Sequence, residues 1–133
     1  MSEGLSSDPP NSAGEDRRAR GLERLGQLGD EPGGAEFLAR MGVLGDWIVD
    51  FAFGEVHTRP LLDARQRELI IVAVLATLGG CEPQLDAHIR ALRAIEAPWG
   101  EIEETVLQTA PYAGVARAVN AMKVLRSIQE EAA

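Results

Sequence analysis

The middle of the chain carries a long apolar run that is followed directly by an amphipathic segment. Residues 69–78 are apolar with a single threonine among them, and the pair Gly79-Gly80 ends the run. Apolar residues then recur at three- and four-residue steps, which is the spacing of one helix face. The pattern predicts two helices, over residues 64–78 and 82–95, that form a central apolar hairpin. We expect the first helix, apolar on nearly all sides, to be buried on nearly all sides.

The helical spacing of apolar residues recurs on both sides of the hairpin. It predicts further helices over residues 17–28, 35–54, 101–109 and 111–130. The alternation of apolar and polar residues that marks a strand is not seen, so the sequence predicts an all-α fold. We expect a single-domain bundle of about six helices, since 133 residues are enough for one domain with a buried core.

Three positions carry signals for the start of a helix. Asp63 stands just before the apolar run, with Gln66 three residues later, as in a capping box. Asp16 is suited to cap the first helix, and Pro111 suits the first turn of the last one. Residues 53–60, between the second helix and the hairpin, are predicted to be a loop.

The N-terminal residues 1–15 are rich in Ser, Pro and Gly and offer almost nothing to bury. They are predicted to be a disordered tail, and residues 16–131 are predicted to form the domain. The N-terminus lacks the basic start and apolar stretch of a signal peptide, and residues 69–78 are too few to span a bilayer. We therefore expect a cytoplasmic protein that does not act at a membrane.

The balance of charges excludes one broad class of partner. The chain has 13 basic and 21 acidic residues, which gives a net charge of −8 at pH 7. An acidic chain is poorly suited to a phosphate backbone, so nucleic acid is not an expected partner. The single cysteine cannot form an intrachain disulfide or, alone, a thiolate zinc site, which fits a reducing compartment.

The hairpin carries three candidates for chemistry. His88 lies on an apolar helix face, where a neutral imidazole suits a general acid or base, although a core histidine bonded to a neighbour is an equal alternative. Glu68 begins the apolar run and is either a proton carrier or an acid stabilised by the helix dipole. Cys81 stands at a helix start, where a thiol can be activated, but packing as a small apolar side chain is its favoured role.

The predicted loop before the hairpin and its flanks carry the remaining candidates. Glu55, His57 and Arg59 alternate along the loop, so in an extended chain the three side chains would face one way. Arg59 and Arg65 could hold a carboxylate with paired hydrogen bonds, although exposed arginines are common. Trp47 is a further candidate for substrate contact, with packing as its more ordinary role. The sequence suggests no metal site.

Several segments, taken together, resemble the carboxymuconolactone decarboxylase family. They are FGEVHTRP, RELIIVAVLATLGG, LDAHIRAL and EIEETVLQTAPYAGVARAVNA, and the resemblance runs from about residue 22 to residue 125. It implies an alkylhydroperoxidase D-like helical fold. It also implies a homotrimer or homohexamer in which the apolar hairpin is shared between subunits.

The family has two branches, and the residues favour one of them. Thiol peroxidases of the alkylhydroperoxidase D type use a glutamate, a C-x-x-C pair and a histidine, to which Glu68, Cys81 and His88 are similar. Gln84 replaces the second cysteine, so the disulfide cycle of that branch cannot close. The decarboxylase branch has no C-x-x-C motif and needs no metal or organic cofactor. The chain resembles this branch more closely, with His57 where such enzymes usually carry Trp in a W-x-R-P loop.

The resemblance implies a cofactor-independent decarboxylase that acts on a small carboxylated lactone or a related acid. Arg59, with Arg65, would hold the carboxylates of the substrate. His88 would donate a proton to the enolate that forms when CO₂ leaves, and His57 or Glu55 would be the second proton carrier. Glu68 is a further catalytic candidate.

Three alternatives stay open at this point. A tailoring enzyme of the same family would act on a polyketide-like substrate. A single-cysteine peroxidase would use Cys81, which peroxide attacks and an external thiol restores. A non-enzymatic oligomer would bind a small acid without turning it over.

Overall fold

The computed structural model of the chain describes residues 12–30 and 34–133. These residues form seven α-helices and one π-helix and contain no β-strand, so the all-α prediction is confirmed. The elements are α1 (Ser12–Gln27), α2 (Ala35–Met41), α3 (Val43–Trp47), the π-helix (Ile48–His57), α4 (Ala64–Leu78), α5 (Glu82–Ala94), α6 (Trp99–Ala113) and α7 (Val115–Ala132). No helix in the described ranges has the length and apolar composition of a membrane span.

The start of α1 differs from the prediction, and most of the predicted tail cannot be compared. Residues 1–11 of that tail lie outside the described residues. The first helix begins at Ser12, ahead of the predicted cap at Asp16. The limits of the domain itself, residues 16–131, stay a prediction.

The core is aliphatic and has two parts. The larger part joins α4, α5, α6 and α7, and its fully buried members are Val72, Ile89, Leu92, Ile102, Val106 and Leu125. The smaller part packs α1 against the π-helix, with α5 beneath them, through Leu25, Leu28, Val49, Phe53 and Ala91. Helix α5 therefore contacts both parts and links the central hairpin to the N-terminal helices.

The central hairpin forms as predicted at both of its ends. A capping box starts α4, because Asp63 Oδ1 accepts the Gln66 N–H at 2.8 Å and Gln66 Oε1 accepts the Asp63 N–H at 3.0 Å. The turn after α4 has positive φ at Gly79 (68°) and Gly80 (72°), a conformation that costs glycine little. Local signals in the sequence were sufficient to predict this element.

The expected burial of α4 on nearly all sides is wrong within the single chain. Val72 and Ala76 are buried against the core. Ile70, Val74 and Leu78, at four-residue steps, have 50%, 50% and 60% of their surface exposed. One chain thus covers one side of α4 and leaves an apolar stripe of three residues along the other, which we call the α4 stripe.

Two predicted helix boundaries are wrong, each for a reason that lies in the backbone. Pro111 does not begin the last helix; it lies in the last turn of α6, where it removes one intrahelical hydrogen bond. Gly114, with φ of 100°, ends α6 instead. The helix predicted over 35–54 is broken at Gly42, where φ is 60°, and then continues past its predicted end as the π-helix. The predicted loop therefore begins only after His57.

Helix α1 and the π-helix approach each other closely through two glycines. A Cβ atom on Gly21 would overlap the carbonyl oxygen of Val49, and a Cβ atom on Gly54 would overlap that of Arg17. Only hydrogen at these positions lets the two backbones approach this closely. The approach brings the second half of α1 beside the last turn of the π-helix, where His57 lies.

We expect Gly21→Ala to lower the free energy of unfolding by about 1–3 kcal/mol, because the added methyl group forces α1 away from the π-helix. The matched control is Gly26→Ala in the same helix, where no atom lies within 4 Å of the added Cβ. This control should raise the free energy of unfolding by about 0.5–1 kcal/mol through helix propensity. Urea unfolding followed by circular dichroism measures both changes, and a loss of equal size in the two variants would contradict the close approach.

Candidate functional site

A buried carboxylate that joins two imidazole rings forms the centre of the candidate site. Glu68 has no exposed surface, and its two carboxylate oxygens have different partners. Oε1 lies 2.9 Å from Nε2 of His57, and Oε2 lies 2.6 Å from Nδ1 of His88. Three of the residues singled out from the sequence therefore meet in one hydrogen-bonded cluster.

Each member of this cluster comes from a different helix. Glu68 lies in the second turn of α4, just inside the capping box at Asp63. His88 lies in the middle of α5 and is brought opposite Glu68 by the antiparallel hairpin. His57 is the last residue of the π-helix. Helical hydrogen bonds therefore fix the backbone of all three side chains.

Arg24, which the sequence analysis did not select, completes the cluster at the end next to α1, which we call the inner end. Its Nη1 atom lies 2.9 Å from Nδ1 of His57 and 2.7 Å from the carbonyl oxygen of the same residue. The row of contacts therefore runs from Arg24 through His57 and Glu68 to His88. We call these four residues the relay.

Burial and hydrogen bonding act in opposite directions on the Glu68 carboxyl. Burial alone would raise its pKa, because a charge is less stable away from water. The hydrogen bonds from His57 and His88, and the positive charge of a protonated imidazole, outweigh burial and leave the pKa of Glu68 below its usual value. Glu68 is therefore an ionised carboxylate at neutral pH.

Phe53 packs against both imidazole rings of the relay. Its ring centroid lies 5.1 Å from that of His57, with planes 27° apart, and 6.4 Å from that of His88, with planes 1° apart. This stacking holds the rings in place and covers them with an apolar group. His57 is 3% exposed and His88 is 15% exposed, so of the two imidazoles His88 is the one that reaches solvent.

The two histidines differ in what their ring nitrogens contact. Both nitrogens of His57 have partners, Arg24 on one side and Glu68 on the other. His88 uses only Nδ1, and within residues 12–30 and 34–133 its Nε2 has no hydrogen-bond partner. A substrate could therefore exchange a proton with His88 without breaking any hydrogen bond of the relay.

A cavity of about 320 Å³ lies against the His57 side of the relay. His57 and Arg67 are the polar residues of its wall; the apolar ones are Phe51, Ala52, Val56, Ile70 and Ile71. Arg67 also donates to the carbonyl oxygens of Leu62 at 3.1 Å and Arg59 at 2.9 Å, which holds the turn after the π-helix. This arginine was not selected from the sequence.

The predicted alignment of Glu55, His57 and Arg59 on one side of an extended loop is wrong. Glu55 and His57 belong to the π-helix, and residues two apart on a helix do not face the same way. His57 points inward, whereas Glu55 is exposed and lies 3.8 Å from Arg17. Arg59 is exposed beyond the end of the helix.

Among the described residues, the other predicted site residues make no hydrogen bond to the relay. Arg65 makes two 2.8 Å hydrogen bonds to the carboxylate of Glu101 on the surface. Trp47 is exposed at the end of α3. Cys81 precedes α5, and its thiol is 3.6 Å from the carbonyl oxygen of Gly79. The predicted roles of these residues in substrate binding stay predictions.

The donor atoms of the relay do not form a metal site. In the described part of the chain, no three His, Cys, Asp or Glu side chains are arranged to hold a metal ion. Both oxygens of Glu68 are already bonded to ring nitrogens. The arrangement is suited instead to moving a proton at one exposed imidazole edge.

Two comparisons with known proteins bear on this geometry. The sequence model of the carboxymuconolactone decarboxylase family matches residues 43–127. A 4-carboxymuconolactone decarboxylase of Acinetobacter baylyi is 35% identical over 83 residues, which cover 62% of this chain and 61% of that protein. The chain therefore spans about three fifths of the length of this relative. The family match includes His57, Glu68 and His88 but not Arg24.

We expect Glu68→Gln to remove part of the dependence of stability on pH. The folded state lowers the pKa of Glu68, so this carboxylate stabilises the fold fully above its ordinary value of about 4.5. That contribution is lost as the pH falls through the lower folded-state value. The wild-type protein should therefore lose stability more steeply on acidification than Glu68→Gln, which also loses roughly 1.5–3 kcal/mol at neutral pH for each hydrogen bond to the charge.

Urea unfolding at a series of acidic and neutral pH values measures the two slopes. Glu104→Gln is the matched control, because it neutralises an exposed glutamate that lies outside the relay. The control should keep the wild-type slope. Equal slopes for the wild type and Glu68→Gln would show that the relay does not hold Glu68 ionised.

Proposed function

Because the chain belongs to the carboxymuconolactone decarboxylase family, we propose that it is a carboxy-lyase acting on a small carboxylated lactone or a related acid. The observation that carries the proposal is the buried Glu68 carboxylate between two imidazoles, with only His88 keeping a ring nitrogen without a partner in the described chain. Such an arrangement is suited to giving a proton to a carbanion. As the resemblance to the decarboxylase branch implies, we propose that the reaction uses no metal and no organic cofactor.

The reaction breaks one carbon–carbon bond and forms one carbon–hydrogen bond. The bond between the ring carbon and the carboxylate carbon breaks, CO₂ leaves, and the electron pair spreads into the lactone as an enolate. His88, protonated at Nε2, gives its proton to the carbon and becomes neutral. A proton from the solvent then restores the protonated His88, so each turnover consumes one proton. Glu68 stabilises the protonated ring throughout, because its carboxylate lies 2.6 Å from Nδ1.

His57 supports this step rather than carrying the proton itself. Both of its ring nitrogens already have partners, so giving or taking a proton would break a hydrogen bond of the relay. We propose that His57 holds the Glu68 carboxylate at the angle that His88 needs. Glu55, paired with Arg17 on the outside of the π-helix, is no longer proposed as the second proton carrier.

We propose that the ring of the substrate lies in the cavity of about 320 Å³ beside His57 and that its reacting carbon lies at Nε2 of His88, which is not itself part of the cavity wall. Its apolar wall suits the ring of a lactone, and a desolvated carboxylate is destabilised relative to a transition state in which charge is dispersed. Arg67 on the wall can hold a carboxylate. Arg59, whose guanidinium forms no ion pair with the described residues, is a second anchor. Arg65 is already paired with Glu101.

We also propose that the protein is a homotrimer or a homohexamer. The α4 stripe exposes apolar surface along one side of the hairpin helix, and large exposed apolar patches are typical of interaction sites. A second copy of the chain would cover it. The absence of nucleic-acid and membrane partners and a cytoplasmic location remain predictions from the sequence.

A thiol peroxidase is the main alternative to the proposed carboxy-lyase. Glu68, Cys81 and His88 keep the order of the peroxidase branch, but Gln84 stands in place of the second cysteine. Such an enzyme would need an external thiol to restore Cys81. A tailoring enzyme would keep the decarboxylase chemistry and differ only in its substrate.

We expect His88→Gln to lower kcat by about 10²–10⁴-fold, because the variant lacks the proton donor. The first substrate to try is 4-carboxymuconolactone, followed by other carboxylated lactones and polyketide-like acids, with release of CO₂ as the measurement. Circular dichroism should show an intact fold. Glu104→Gln is the matched control and should keep wild-type turnover, since Glu104 is exposed and outside the relay.

Full turnover by His88→Gln would remove His88 from the mechanism. Consumption of peroxide in the presence of a thiol reductant, if abolished by Cys81→Ser, would favour the peroxidase instead. Binding of the acids without release of CO₂ by the wild-type protein would favour the non-enzymatic oligomer. The three results are distinct, so one set of assays separates the three classes of function.

We expect Val74→Glu to break the proposed oligomer into smaller species, because it places a charge in the centre of the α4 stripe. Analytical ultracentrifugation should give a trimer or hexamer for the wild type and a smaller mass for the variant. Gln27→Glu adds the same charge at an exposed position of α1 and should leave the mass unchanged. A wild-type protein that sediments as a monomer would overturn the proposal.

A further inference from the structure

The relay includes one member that the family match does not cover. Arg24 belongs to α1, whereas the matched residues begin at 43. Its guanidinium nonetheless reaches the inner nitrogen of His57, 33 residues further along the chain. The contact depends on the glycines that let α1 approach the π-helix, since Gly21 lies one turn before Arg24 on the same helix.

The chemistry of arginine decides where the proton of His57 lies. A guanidinium group has only hydrogen-bond donors. The Nη1 atom carries two hydrogens, and its two partners are Nδ1 of His57 at 2.9 Å and the carbonyl oxygen of His57 at 2.7 Å. Nδ1 must therefore accept a hydrogen bond and carries no proton. This tautomer is assigned from the hydrogen-bond partners.

The tautomer of His57 determines which of its ring nitrogens donates to Glu68. With Nδ1 unprotonated, the proton of the neutral ring lies on Nε2, which donates to Oε1 of Glu68 at 2.9 Å. A second proton on His57 would place an N–H against the N–H of Arg24 and a second positive charge beside the guanidinium. The remaining oxygen of Glu68 is left to His88.

We propose that Arg24 is a positioning residue that keeps His57 neutral with its proton on Nε2, so that His88 is the relay histidine that takes up and releases a proton. Arg24 acts through His57 and Glu68 and is not itself part of the cavity wall. The proposal depends on the proposed function only in its statement that His88 gives a proton to a substrate. The tautomer of His57 can be measured without any substrate, so the two can fail separately.

The chain is well suited to a direct measurement, because it contains only two histidines. In ¹⁵N-labelled protein, long-range ¹H–¹⁵N correlation spectra of the imidazole rings distinguish protonated from unprotonated nitrogens. His88→Gln removes one ring and assigns the signals of the other. In the wild type at neutral pH, we expect the signal of His57 Nδ1 at the unprotonated position and that of Nε2 at the protonated position.

Arg24→Met tests whether the guanidinium group fixes the tautomer of His57. Without the guanidinium, the signal of His57 Nδ1 is expected to move toward the protonated position at the same pH. Arg20→Met is the matched control, because Arg20 also lies in α1 and donates to the π-helix, at the carbonyl oxygen of Gly54, without touching a ring. This control should keep the wild-type spectrum of His57. The difference between the variants separates the fixing of a tautomer from general support of the helix.

Two results would overturn the proposal. One is a wild-type spectrum in which Nδ1 of His57 is protonated, and this result needs no variant, so it stands even if Arg24→Met fails to fold. The other is an Arg24→Met protein whose His57 signals match those of the wild type. Loss of decarboxylase activity with an unchanged His57 spectrum would likewise remove Arg24 from the role proposed here.

Discussion

The carboxylate of Glu68 has no contact with solvent, and this determines which hydrogen-bond partners the rest of the site must supply. Glu68 is fully buried and ionised, and an unpaired buried charge costs several kcal/mol. Among the described residues no lysine or arginine contacts it, so the two imidazoles are its hydrogen-bond partners. Neither ring can be removed without leaving one oxygen of a buried charge without a partner. The site is thus a structural necessity of the fold as well as a candidate for chemistry.

This requirement explains the arrangement of helices around Glu68. The α4–α5 hairpin brings His88 to one oxygen, and the π-helix, which ends at His57, reaches the other. Phe53, one turn before His57, covers both rings. Helix α1 can add Arg24 only because Gly21 and Gly54 leave room for the backbones. The absence of side chains at Gly21 and Gly54 is therefore required for the site to form.

The sequence predicted those parts of the molecule that local interactions decide. The hairpin, its capping box and its glycine turn follow from apolar spacing and start signals within a few residues, and Glu68 and His88 were selected on it. The last residues of the π-helix, 55–57, were predicted to be a loop, whereas Gly54 packs closely against α1 and the helix continues through it. Arg24 gave no signal, since its partner is 33 residues away and an arginine on an amphipathic helix is ordinarily exposed. Both features depend on tertiary contacts, which a local sequence pattern does not encode.

The relay has two unlike ends, and this asymmetry gives it a direction. At the inner end, a permanently charged arginine from outside the family match holds His57 by a nitrogen and a carbonyl oxygen. At the outer end, His88 is held by one nitrogen and reaches solvent with the other. A proton can then be exchanged at one end without disturbing the other, because the carboxylate between them keeps one fixed partner. The matched family segment supplies the exposed histidine and the buried carboxylate, and the helix that precedes it supplies the residue that holds the inner end.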